Sequence, residues 1–220
     1  MAPPSTGTSR ACRWNCCALS ARAGVEFVFE RVPWRRGLYL VETNEADGLF
    51  HVSFLPERMG TMAYPMRSGQ PDAARAIFVQ SYVLYKRAGS PVVWDGTALT
   101  GAEAPVGATS GYSVLSDLRR LGVPFEEAKT MEQSLDKLVG GRVSAYAGLE
   151  GMADAVLAAN PAKYGKLVKV TPPLVSKPYH LVFSRAFLTR NRDLAERIWD
   201  AIAAVNASDE FAAIVRRYGN

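Results

Sequence analysis

From Gly24 onward, short strand-like runs alternate with short helix-like runs, and this alternation limits the possible fold more than any other feature. "VEFVFERV" (Val25 to Val32) is a β run. In "WRRGLYLVETN", Trp34, Leu38 and Val41 stand four and three residues apart, which predicts a short helix. "DGLFHVSF" predicts a strand that ends in the turn Pro56-Glu57-Arg58, and "RAIFVQSYVLYKR" (Arg75 to Arg87) a long β-rich stretch. "SPVVWDGTALTGAEA" reads as loop, punctuated by Asp95-Gly96. "PVGATSGYSVLSDLRRLG" then predicts strand, glycine turn and a helix stopped by Gly122. "VPFEEAK" is a strand, "MEQSLDKLVGGR" a helix closed by Gly140-Gly141, "VSAYAGL" a strand, and "EGMADAVLAAN" a helix ended by Asn160-Pro161. "KLVKVTPPL" and "YHLVFSR" predict two more strands. Leu194, Ile198, Ala201, Ile202 and Val205 share one face of an amphipathic helix. "SDEFAAIVRRYG" predicts a last helix with Ser208 as its N-cap.

Such alternation argues for an α/β fold with parallel sheets covered by helices on both faces. The chain has 220 residues, enough for one large domain or two lobes. Two stretches read as separate α/β units, and the last helices need a home. The expected organisation is an irregular segment 1–23, lobe 1 from 24–86 plus 178–220, and lobe 2 from 87–177. The chain would cross between the lobes twice, near "YVLYKR" and "KPYHLVFS".

Composition removes several function classes. Hydrophobic residues make up 48% and charged residues 21%, the balance of an ordinary soluble globular protein. The net charge is +5, but Lys and Arg are scattered, and acids interrupt the densest basic run, "RNRDLAER". No stripe suited to nucleic acid is visible. Cys12, Cys16 and Cys17 lie together in "ACRWNCC" without a second ligand pair at zinc-like spacing, so no metal or cofactor is expected. His51 and His180 lie inside apolar strands and are expected to pack there. The sequence holds no Gly-rich phosphate loop, nucleophile elbow or HExxH motif. It also holds no apolar run of about 18 residues, so no membrane span is expected. Its first residues are rich in Pro, Ser, Thr and Arg and lack the apolar stretch of a signal peptide.

One residue stands out by position. Arg58 follows the carboxyl end of a strand, and such tips are where α/β sheets bind ligands. A guanidinium presents a planar fork of donors that matches a carboxylate bidentately. The competing reading is a surface arginine.

The order and spacing of "VPWRRGLYLVETNEADGLF", "SFLPER", "YVLYKRAGSPV", "PVGATSGYS", "LVGGRVSAYAG" and "KPYHLVFSRAF…NRDLAERIWDAI" resemble a known family. It is the type II periplasmic solute-binding proteins of ABC importers, in the amino-acid-binding branch (bacterial extracellular solute-binding family 3). The resemblance covers roughly Ala21 to Tyr218 and implies a two-lobed Venus flytrap with two crossing strands, closing on a small solute. It also implies a periplasmic location and a membrane permease as partner. The beginning departs from the family pattern, which places a strand, a helix and an export signal before "VEFVFERVPW". Lobe 1 is therefore expected to lack its first strand and to show an unpaired edge.

The resemblance gives candidate ligand-binding residues. The family's S-x-T-x-x-R turn clamps the solute carboxylate. Here it reads "SFLPER", so Ser53 and Arg58 match and Leu55 stands at the threonine position. In "GATSGYSVL", Gly111, Tyr112 and Ser113 correspond to the lobe 2 turn, with Ser113 at the hydroxyl position. The alternative is that Ser113 only caps the helix. Trp34 stands where the family often sets a large apolar side chain against the ligand, the alternative being core packing. The acid that anchors an amino group is replaced by Leu149, with Glu150 next to it. Glu150 could serve, or could simply sit in the favourable first turn of a helix. The function expected is capture of a small carboxylate-bearing molecule, an amino acid or related acid, without catalysis. Two alternatives stand beside it: a dehydratase-like enzyme on the same scaffold, with Glu150 as its acid, and a truncated remnant that binds nothing.

Overall fold

The structure is a computed structural model that describes residues 22–209. The cysteine cluster and the helix expected beyond Asp209 lie outside the described residues. The strands are β1 (Gly48–Ser53), β2 (Met62–Ala63), β3 (Met66–Arg67), β4 (Gln70–Pro71), β5 (Phe78–Arg87) and β6 (Val93–Trp94). They continue as β7 (Leu99–Thr100), β8 (Val106–Thr109), β9 (Phe125–Ala128), β10 (Ala145–Leu149) and β11 (Leu167–Ser184). Helices cover Trp34–Glu42, Val114–Arg120, Met131–Val139, Glu150–Ala159, Pro161–Tyr164, Arg185–Arg190 and Arg192–Asn206.

The chain forms two compact units. Among the described residues, the first takes 22–78 and 178–209, and the second is Val79–Lys177. Both passages occur within strands, at Phe78/Val79 in β5 and at Lys177/Pro178 in β11.

In the first unit, β11 is the central strand. β1 pairs with it antiparallel from Gly48↔Phe183 to Ser53↔Tyr179, and β2 pairs with it at Phe183 and Ser184. Alternation along β11 sends its side chains to opposite faces. Leu181 and Phe183 join a core with Ile77, Phe187, Ala195, Ile198, Trp199 and Ile202. Val182 joins a second core with Val41, Val52, Met62 and Tyr64. The helix Arg192–Asn206 thus buries the stripe that its spacing predicts, including Ile198, Ala201, Ile202 and Val205.

Two strand expectations are corrected here. Residues 25–32 form no ladder, although Val25 and Phe27 pack against the core. An alternating pattern yields a strand only where a neighbour supplies hydrogen bonds, and among the described residues none does. Phe29 is half exposed and Val28 almost fully so, with the Phe27, Phe29 and Phe50 rings 5.4–5.9 Å apart. The two strands read in "KLVKVTPPL" and "YHLVFSR" are one, β11, which runs through Pro172 and Pro173. Those prolines are exposed, and strands tolerate proline where its missing N–H takes no ladder bond.

His180 is fully buried in β11, as its apolar strand implies. Its Nε2 donates to the Asp72 carbonyl at 3.0 Å, since a carbonyl can only accept, and Nδ1 is buried without a partner. Burial holds the imidazole below its ordinary value of 6.5, against the smaller pull of Asp72. A second N–H at Nδ1 would meet no acceptor, so the folded state resists protonation. The unfolded chain then binds more protons below its ordinary pKa, and stability falls as pH drops through about 6.5. Urea melts at pH 7.5, 6.5 and 5.5 are expected to lose up to about 1.4 kcal/mol per pH unit in the lower interval. His180→Phe should flatten that difference; equal slopes for both proteins would refute the assignment.

In the second unit, β9, β8 and β10 are parallel and β10 pairs antiparallel with β5 at Tyr82–Tyr85. Pairing in this unit is therefore mixed, β1 and β2 of the first unit pair antiparallel with β11, and the expected parallel arrangement holds only for β8–β10. The reason is connectivity: three strand–helix units build the parallel part, whereas β5 and β11 make the passages. The core on one side contains Val83, Tyr85, Leu135, Leu138, Val143 and Tyr146. Gly148 lies two residues from Tyr146 on the same face, and a Cβ there would stand 2.3 Å from the tyrosine ring. Only glycine lets that ring lie across the strand. "SPVVWDGTALTGAEA", expected to be loop, contains the short β6–β7 hairpin.

Candidate functional site

In the first unit, Arg58 lies in a short 3-10 turn, Pro56–Gly60. Pro56 presets the first helical φ, after the extended Leu55. The turn closes with Arg58 N–H donating to the Leu55 carbonyl at 3.0 Å. Arg58 is only 8% exposed, which disposes of the surface-arginine reading. Its Nη1 donates to the Ser53 carbonyl at 3.0 Å, and its Cζ lies 5.8 Å from the Trp34 ring centroid. A cation over an indole face gains from the ring quadrupole.

Ser53 closes β1 and is buried, and its carbonyl also accepts from the Tyr64 hydroxyl at 3.1 Å. Tyr64 was not singled out from the sequence. Burial pushes its phenol above the ordinary range, and the Arg58 cation pulls it partly back. Trp34 is half-buried and begins the helix Trp34–Glu42, directly after Pro33. It packs against the Val41 and Val52 core while its ring faces the guanidinium, so the packing and recognition readings both describe it.

In the second unit, Gly111 has φ +78°, the left-handed conformation that the sequence met with glycine. Tyr112 N–H donates to the Thr109 carbonyl at 3.2 Å to close the turn. The Tyr112 ring lies edge-on to Tyr82, 6.4 Å between centroids. Ser113 is buried and precedes the helix Val114–Arg120, but its side chain makes no capping bond to that helix. Instead, Lys177 Nζ lies 3.4 Å from both the Ser113 carbonyl and Oγ. The same ammonium forms an ion pair with Asp117, one helical turn beyond Ser113. Lys177 and Asp117 carry no motif signal in the sequence, because their pairing is made only by the fold.

Glu150 is the first residue of the helix Glu150–Ala159, following the buried Leu149. Its Oε1 lies 2.8 Å from Lys169 Nζ, which also reaches Asp154 Oδ2 at 2.6 Å. Tyr85 completes the group, its single hydroxyl proton directed to Asp154 Oδ1 at 2.8 Å, with the Glu150 carbonyl oxygen 3.1 Å from the same hydroxyl. Burial and the Asp154 carboxylate hold that phenol well above its ordinary value. The helix-terminal position foreseen for Glu150 is thus observed, and a lysine already compensates its charge.

Within the first unit, the candidate residues bring a buried guanidinium beside an indole ring, a combination that suits holding an anion. Among the described residues, no group of His, Cys, Asp and Glu could bind a metal ion, and no helix is long and apolar enough to cross a membrane.

Neither protein-family models nor curated protein sequences match the chain. Solved structures do match it in fold. One is the arginine-, lysine-, histidine-binding protein ArtJ from Geobacillus stearothermophilus, at 18% identity and TM-score 0.73, covering 96% of this chain and 86% of that one. A histidine kinase sensor domain with similarity to periplasmic binding proteins aligns at 15% identity and TM-score 0.75, covering 98% and 86%. The GluR0 ligand-binding core from Nostoc punctiforme, in complex with L-glutamate, aligns at 16% identity and TM-score 0.69, covering 97% and 91%. The chain has the mixed α/β fold of type II periplasmic binding proteins.

Proposed function

We propose that the chain is a solute-binding protein that captures a small carboxylate-bearing molecule and performs no chemistry on it. The observation that carries this reading is Arg58: a buried guanidinium, anchored by the Ser53 carbonyl and faced by Trp34, just past the end of β1. Its fork matches the two oxygens of a carboxylate, and a cation largely removed from water attracts an anion more strongly than an exposed one. In this reading Trp34 supplies an apolar face and Ser53 sets the arginine. In the second unit, the turn Gly111, Tyr112 and Ser113 is a candidate contact region by itself, with backbone amides, an aromatic ring and a hydroxyl. The solutes named for ArtJ and GluR0, basic amino acids and glutamate, all carry a carboxylate, which supports the class.

Delivery to the permease of an ABC importer, in the periplasm, is the role suggested by another structure of the same fold, the substrate binding protein of an amino acid ABC transporter, at 12% identity and TM-score 0.70. A second reading keeps the binding but couples it to signalling. It is favoured by the sensor domain, whose fold agrees over 98% of this chain. A dehydratase-like enzyme would need Glu150 as a proton-transfer group, and its pairing with Lys169 argues against that use.

A thermal-shift screen of the purified chain against small carboxylic acids, amino acids and amines tests the proposal. A ligand that binds only the folded state raises the melting temperature, by about 2.7 kcal/mol of stabilisation at a hundred times its Kd. At least one acid is expected to shift the melt. A screen in which only amines or neutral compounds do so would overturn the reading.

A further inference from the structure

We infer that Tyr64 is a positioning residue for the carboxylate site: its hydroxyl and the Arg58 guanidinium share the Ser53 carbonyl, and this shared acceptor fixes the direction of the guanidinium. The inference rests on the carboxylate-binding reading above, and every residue it uses belongs to the first unit.

An arginine side chain has many rotamers, and a solute that must order it loses affinity to that ordering. A carbonyl oxygen has two lone pairs and can accept from two donors. The Ser53 carbonyl takes Arg58 Nη1 at 3.0 Å and the Tyr64 hydroxyl at 3.1 Å. All three residues are buried. The carbonyl is itself held in place, because Ser53 closes β1 and pairs with Tyr179 of β11. Tyr64 is held on both sides along the chain. It follows β2, whose Ala63 pairs with Phe183, and it precedes Pro65, which keeps its backbone away from the helical region. Its ring is met edge-on by Phe54 and by His180, at 5.2 and 6.2 Å between centroids. Burial raises the pKa of the phenol most, and Arg58 pulls it back by its charge and as a hydrogen-bond donor, so the two side chains also act on each other directly. A tyrosine that only had to satisfy its buried hydroxyl could use any acceptor. This one uses the atom that anchors the cation. Tyr64 therefore acts through Arg58: it limits how the guanidinium can turn, and so keeps the planar fork ready for a carboxylate.

A double-mutant cycle on the full chain tests this by calorimetry: the unaltered protein, Tyr64→Phe, Arg58→Ala and the double variant, each titrated with succinate, L-glutamate, L-arginine and 3-phenylpropionate. Tyr64→Phe keeps the ring contacts and removes the hydroxyl alone. It is expected to weaken each probe that binds by about fivefold, the effect of losing one hydrogen bond. In the Arg58→Ala background the same change should alter affinity by less than about twofold, because no guanidinium is left to position. A tyrosine with a merely structural role would cost the same factor in both backgrounds, or none in either, and either result overturns the inference. Urea melts of all four proteins accompany the titrations. A Tyr64→Phe chain without a cooperative melt would assign the hydroxyl to the fold rather than to Arg58, and overturns the inference as well. A loss in Arg58→Ala with none in Tyr64→Phe removes Tyr64 and leaves the carboxylate reading intact. An affinity unchanged in Arg58→Ala, or binding of none of the probes by the unaltered chain, counts against the carboxylate reading itself.

Discussion

Trp199→Ala is expected to destabilise the protein by about 3–5 kcal/mol, the range for truncating a large buried aromatic side chain. Trp199 is 2% exposed and stands at the centre of the first unit's larger core. Its ring lies 5.2 Å from Phe183, which in turn stacks on Phe187 at 4.7 Å. Its Nε1–H donates to the Leu181 carbonyl at 2.8 Å, tying the helix Arg192–Asn206 to the central strand β11. Alanine leaves a cavity and also removes the donor to a buried carbonyl. Trp199→Phe helps to separate these effects, since it keeps most of the packing while losing the hydrogen bond, which alone is worth about 1 kcal/mol. Urea denaturation measures both. A cooperative melt for the unaltered chain also counts against a remnant that cannot fold. A loss below about 1 kcal/mol for alanine would mean that this core does not hold the unit together.

The second large effect concerns binding. Arg58→Ala should weaken the affinity for an acid by about 2–3 kcal/mol, or about 30- to 150-fold, the range for a hydrogen-bonded charge pair. Lysine is not an equivalent replacement, because a point charge cannot reproduce the planar fork. Arg58→Lys should therefore recover only part of the loss. Because Arg58 also donates to the Ser53 carbonyl, the alanine variant carries a stability cost, and its melting temperature must be read beside its affinity. An affinity unchanged in both variants would remove Arg58 from the site.

Much of the fold is legible in the chain because local signals and tertiary packing agree. Pro33 and the spacing of Trp34, Leu38 and Val41 define a helix that begins at Trp34. Thr130, whose hydroxyl accepts from Gln133 N–H, starts the Met131–Val139 helix at the expected place. What the sequence misleads about is pairing. Residues 25–32 have the pattern of a strand but no hydrogen-bonded neighbour among the described residues, and the Pro172-Pro173 pair hides the continuity of β11. Among the candidate residues, Arg58 stands out in the sequence because a lone cation follows an apolar strand. Tyr64, eleven residues from Ser53 and hydrogen-bonded to it, does not. Lys177 lies 64 residues from Ser113, and only folding brings them together. Long-range charge pairs of this kind leave no periodicity or spacing to read.

The most direct test of the central claim compares one ligand in two charge states. The acid that gives the largest thermal shift and its primary amide have the same skeleton and nearly the same size. Calorimetric titration of the unaltered protein should show binding of the acid and at least about 30-fold weaker binding of the amide, as expected if a guanidinium holds the carboxylate. Equal affinity for the two would contradict the account, because recognition would then not depend on the negative charge that Arg58 is proposed to hold.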